Sequence, residues 1–205
     1  EIIHSKTEPL DCGFVLDVFR PISSALNYAH SKNVIHCDVK PSNILINSSA
    51  RVMLTDFGIS KHTSQRTTGG TPPYMAPEQF TGDKLTAQTD IYGLGITLFE
   101  MFSGGKLPYR GETNADKNTT LRNRIHWEVM NLPYPGLAQF NAQISPEIDA
   151  VVRKAVDKNP ARRFRSALEM AEALESACQR VERNSSQTMQ DFMTDFSANS
   201  VEPPS

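Results

Sequence analysis

His36-Cys37-Asp38-Val39-Lys40-Pro41-Ser42-Asn43, followed by Asp56-Phe57-Gly58, is the stretch on which the reading of this chain turns. It sets an acid, a base and an amide at fixed spacing ahead of a second acid. Transfer of a phosphoryl group asks little covalent work of a protein. It asks for a nucleophile placed in line and for neutralised charge on the phosphate oxygens. Asp38 can accept the proton of an attacking hydroxyl, and Lys40 can point a cation at the transferred group. Asn43 offers a neutral oxygen and Asp56 a charged one, the donors that a hard cation such as Mg²⁺ takes. Gly58 lets the backbone turn where a side chain would block it.

Around this stretch the pattern is mostly helical. Val15, Val18, Phe19, Ile22, Leu26 and Ala29 recur at spacings of three and four, which predicts a helix over 14–32; Pro21 should kink it or mark a late start. Ile44-Leu45-Ile46 and Val52-Met53-Leu54 flank Asn47-Ser48-Ser49-Ala50 and read as a β-hairpin. Residues 58–73, rich in Gly, Ser, Thr and Pro, read as a long exposed loop, and 110–120 as a polar surface loop. Asp90 to Phe102 is nearly all apolar and predicts a buried central helix ended by Ser103-Gly104-Gly105. Ser145-Pro146 opens a further helix as N-cap and first residue, and Asn159-Pro160 stops it. Ser166-Ala167-Leu168-Glu169 fits a capping box for the last helix, whose stripe is Leu168, Ala171, Leu174, Cys178 and Val181. From about Asn184 the chain turns polar and reads as a disordered tail.

The bulk numbers narrow the function classes. At 205 residues one domain is the expectation, and 39% hydrophobic content permits a core. A net charge of −2 gives no pull toward nucleic acid or an anionic membrane. Three scattered cysteines, Cys12, Cys37 and Cys178, form no metal spacing or disulfide framework and favour a reducing, cytoplasmic setting. The longest apolar run, Ile91 to Phe102, is too short to span a bilayer. No signal peptide is visible at Glu1, and the chain does not begin with Met. His4, His30, His62 and His126 show no ligand spacing and read as surface or packing residues. Trp127 reads as a packing anchor.

With these motifs in order, residues 1–180 resemble the C-terminal lobe of a eukaryotic-type serine/threonine protein kinase. His36, Asp38, Lys40 and Asn43 match the catalytic loop, and Asp56-Phe57-Gly58 matches the metal motif. Gly70-Thr71-Pro72-Pro73-Tyr74-Met75-Ala76-Pro77-Glu78 matches the substrate loop and the Ala-Pro-Glu motif that closes the activation segment. Asp90-Ile91-Tyr92-Gly93-Leu94-Gly95 resembles the helix whose Asp braces the catalytic loop. Asn159-Pro160-Ala161-Arg162-Arg163 resembles the late motif whose Arg pairs with the motif Glu, here Arg163 with Glu78. The resemblance implies a mainly α (α+β) fold: a helical lobe over 1–182 with a small β-hairpin by the catalytic loop, then the tail 183–205. It implies ATP and Mg²⁺ as cofactors, a protein substrate, Asp38 and Lys40 as catalytic residues, and Lys40, Asn43 and Asp56 at the nucleotide and metal. His36 would be structural. Lys40 together with Thr71 is the pattern of a Ser/Thr-directed enzyme.

Two departures qualify this. Cys37 stands where most of the family has an Arg that pairs with a phosphate on the activation segment. Thr63, Ser64, Thr67 and Thr68 remain phosphorylatable, but that route loses its usual anchor. In addition, no Gly-rich loop, strand Lys or partnering helix Glu precedes residue 36. Residues 1–10 resemble the stretch just past the hinge, so the 205 residues are expected to supply only the floor of an ATP site. The alternatives are a non-catalytic kinase-like binding module or a truncated pseudokinase. The repeated Asp-Phe at 191–192 and 195–196 offers possible docking through 184–205.

Overall fold

The structure, a computed structural model, describes residues 8–57, 61–62, 69–113 and 118–199. Helix α1 spans Cys12–Ser31, opened by Asp11, whose carboxylate accepts the Phe14 N–H at 2.9 Å. Pro21 lies inside it without delaying its start. Its apolar face, including Val15, Phe19, Ile22 and Leu26, is buried. Strand β1 (Val34–Ile35) then leads into the catalytic stretch, and β2 (Ile44–Ile46) pairs antiparallel with β3 (Val52–Leu54) in the expected hairpin. The hairpin turn is tied by Asn47, whose amide oxygen accepts the Ser49 and Arg51 N–H groups.

The expected loop over 58–73 is not loop throughout. Lys61–His62 form β4, which pairs antiparallel with β1, and Pro72–Tyr74 make a 3₁₀ turn. Nothing in the composition of so short a strand marks it, because its pairing partner lies far away in sequence. Gly58 and the candidate phosphorylation positions Thr63, Ser64, Thr67 and Thr68 lie outside the described residues, as does the start of the chain.

Helix α2 (Pro77–Thr81) is short and ends on Gly82 in the left-handed region. Helix α3 (Ala87–Phe102) is buried from Thr89 to Phe102, and Ser103 caps it. Helix α4 spans Leu121–Asn131. There Trp127 is 41% exposed, so it is no packing anchor: it falls on the side of α4 away from buried Ile125, Glu128 and Val129. Helix α5 (Pro146–Ala155) starts on Ser145, which accepts the Ile148 N–H.

Helix α6 begins at Ala167. Ser166 accepts the Glu169 N–H, but Glu169 turns its carboxylate to the Arg165 N–H and Nε, so only half of the capping box forms. The backbone stays helical to Asn199, where polarity had suggested disorder from 184. No Gly or Pro interrupts 167–199, and Met189, Phe192, Met193 and Phe196 keep a spacing of three and four. The core joins the buried faces of α1, α3, α5 and α6. No described helix is long and apolar enough to cross a membrane.

Candidate active site

The catalytic stretch hangs from one buried carboxylate. Asp90, in the first turn of α3, is 1% exposed. It accepts the backbone N–H groups of His36 and Cys37, each at 2.8 Å, and lies 2.7 Å from His30 Nε2. Two successive N–H groups can face one carboxylate only if the chain turns sharply between them. Cys37 makes that turn with φ at +70°, a left-handed value that costs a non-glycine residue energy. The cost is offset by two charge-assisted bonds at a site shielded from water.

The turn delivers Asp38 into a convergence of donors. Its Oδ1 accepts the Thr71 N–H at 2.8 Å, and its Oδ2 lies 2.7 Å from Lys40 Nζ. Lys40 in turn donates to the Thr71 hydroxyl. Asn43 donates its amide to the Asp38 backbone carbonyl at 2.8 Å and to Oδ2 at 3.3 Å. Burial alone would raise the Asp38 pKa; the bonds from Lys40 and Thr71 outweigh it and hold the carboxyl below its ordinary range. Asp38 is therefore ionised at neutral pH.

His36 supports this arrangement from behind. Its Nδ1 accepts the Asp38 N–H and its Nε2 donates to the Thr55 carbonyl at 2.9 Å, the tautomer that both contacts require. Its ring meets Phe57 edge-on at 4.4 Å. Thr55 donates its N–H to the Asn43 carbonyl at 2.8 Å, and this carries Asp56 to the Asn43 side of the loop. Asp56 sits at φ +63° with an exposed side chain. Since the Asn43 amide nitrogen is committed to Asp38, its oxygen is the atom left for a cation. Asn43 and Asp56 thus offer two oxygens from adjoining segments, a donor set that suits Mg²⁺.

The segment 70–78 is braced from the other side. Tyr74 donates its hydroxyl to the buried Glu100 carboxylate at 2.6 Å; burial, then that carboxylate, pushes its pKa far up. Arg163, 3% exposed, donates to both Glu78 oxygens at 2.7 and 2.9 Å. It also donates to the carbonyls of Asp157 and Gln88 and lies over the Tyr92 ring. Thr89 gives Glu78 a further hydroxyl bond.

The structure therefore brings His36, Asp38, Lys40, Asn43 and Thr71 into one bonded group, with Asp90 beneath it. Glu78 and Arg163 form a separate support. Sequence reasoning missed His30, Glu100, Gln79 and Glu128. Apart from the Ala76 N–H that Gln79 accepts from three residues away, their partners are remote in sequence, so local spacing does not signal them. Glu128 accepts the N–H groups of Arg110, Gly111 and Thr113, each at 2.7 Å, and so fixes the loop before α4.

The model of the protein kinase domain family matches residues 3–177. Serine/threonine-protein kinase PknD of Mycobacterium tuberculosis is 37% identical over 188 residues, covering 88% of this chain and 27% of that protein. Serine/threonine-protein kinase PknB of the same organism is 33% identical over 178 residues, covering 83% and 27%. PknB of Mycobacterium leprae is 33% identical over 177 residues, with the same coverage of 83% and 27%. The chain spans only 27% of the length of these curated relatives. By the extent of the match and the order of its motifs, the chain belongs to the protein kinase domain family.

Proposed function

We propose that the protein bearing this chain transfers the γ-phosphoryl group of ATP to Ser and Thr hydroxyls of protein substrates. The observation that carries the reading is the link among Asp38, Lys40 and Thr71, which ties the catalytic loop to the substrate loop. Asp38 orients the attacking hydroxyl and receives its proton. Lys40 lies beside that carboxylate and offsets charge on the transferred group. Thr71 shapes the pocket in which the hydroxyl waits. Asn43 and Asp56 would hold Mg²⁺, which would supply charge neutralisation at the phosphates. The odd, scattered cysteines support a cytoplasmic setting.

The test is a transfer assay on the full-length protein with γ-labelled ATP, Mg²⁺ and matched peptides that differ only in Ser, Thr or Tyr. Label on the Ser and Thr peptides, with little on Tyr, is the expected result. Preference for Tyr would overturn the specificity, and no transfer to any peptide would overturn the activity.

A further inference from the structure

Gln79, the second residue after Pro77, is 2% exposed, and both ends of its amide are bonded. Its Nε2 donates to the Cys37 carbonyl at 2.9 Å and to the Gly69 carbonyl at 3.1 Å. Its Oε1 accepts the Ala76 N–H at 2.9 Å. One side chain therefore joins three places: the catalytic loop at Cys37, the activation segment at Gly69, and the start of α2. Gly69 lies two residues before Thr71, whose N–H holds the Asp38 carboxylate. Gly70 makes room for the junction. A Cβ there would come within 3.1 Å of Gln79 Nε2 and 3.2 Å of the Cys37 carbonyl, and φ at Gly70 is +125°.

Cys37 contributes backbone to this junction, not charge. Its side chain is 4% exposed and packs with Ile35 and Leu85. It presents no cation to a phosphate, yet its carbonyl is what Gln79 grips. We propose that Gln79 is a positioning residue that fastens the activation segment to the catalytic loop, so that Thr71 is held against Asp38 without a phosphate on that segment. The regulatory half of this proposal rests on the kinase reading above; the fastening itself does not.

The test uses the full-length protein. Thr63, Ser64, Thr67 and Thr68 are replaced together by Ala, and the protein is treated with phosphatase. Separately, Gln79→Met keeps the side-chain volume but removes all three bonds. Gln79→Glu keeps the acceptor for Ala76 and loses the donor to the two carbonyls. The tetra-Ala protein should keep peptide phosphorylation within about twofold, since no phosphate contributes to the fastening. Both Gln79 variants should lose on the order of 10- to 100-fold in kcat for peptide, the scale for a small misplacement of reacting groups. Their KM for ATP should stay unchanged. Amide hydrogen exchange should rise over 69–75 and hold steady over 87–102, which also reports that the variant is folded. Unchanged exchange over 69–75 in both variants would overturn the fastening. Loss of activity in the tetra-Ala protein would overturn its independence from phosphate. Should the unaltered protein transfer no phosphoryl group, the proposed function falls, and the exchange data alone decide the role of Gln79.

Discussion

Asp38 is pulled in opposite directions. Burial favours its neutral form, while Lys40 and Thr71 favour the carboxylate and win. Under the proposed function, Asp38→Asn keeps the shape and removes the proposed proton acceptor, so turnover of the full-length protein should fall on the order of 10²-fold or more. Steady-state kinetics on a Ser peptide measures this, and near-normal turnover would exclude the assigned role. Glu128 shows the same contest away from the chemistry. Burial raises its pKa, but the N–H groups of Thr113, Gly111 and Arg110 lower it further, to below its ordinary value of 4.5. A carboxyl with a lowered folded-state pKa adds stability that is complete above that ordinary value and is lost as pH falls through the folded-state value. Glu128→Gln should therefore cost about 1–3 kcal/mol near neutral pH. The gap to the parent protein should close in acid. Urea denaturation at several pH values tests this, and a gap independent of pH would show that the charge is not responsible.

At the scale of elements, α3 and α5 meet at Gly95. A Cβ there would lie 2.7 Å from Ala155 Cβ and 2.9 Å from Val156 Cγ1. Gly95→Ala should destabilise by about 1–3 kcal/mol through overpacking, even though Ala is the better helix former by about 1 kcal/mol. A melting temperature at or above that of the parent would mean the two helices can part without cost. The sequence made much of this level legible. The apolar run of α3, the Ser145-Pro146 start of α5 and the alternating hairpin each depend on neighbours a few residues away. What escaped depends on distant partners. Strand β4 exists because β1 offers it an edge. Trp127 is exposed because of how α4 is rotated on its neighbours, which spacing alone does not fix. The candidate site divides the same way: Asp38, Lys40 and Asn43 are legible as a motif, whereas His30 and Gln79 become visible only once the chain has folded back.

Across the whole molecule, a few long-range ties hold the chain together. Arg163 and Glu78, 85 residues apart, form a buried two-bond pair that also anchors the segment after α5. Arg163→Ala would leave Glu78 charged and buried, and should cost about 3–5 kcal/mol in chemical denaturation. A loss below about 1 kcal/mol would mean that solvent reaches Glu78 in the variant and hydrates it. A wide tie joins the first described helix to the last: α1 packs on α6, and Arg20 meets Glu175 across 155 residues of sequence. Synthesis on the ribosome proceeds from the first helix to the last at about 5–20 residues per second. The apolar face of α1 thus leaves the ribosome roughly 10–30 s before the helix that covers it, and over that interval the nascent chain depends on chaperones or on its own partial structures to stay out of aggregates.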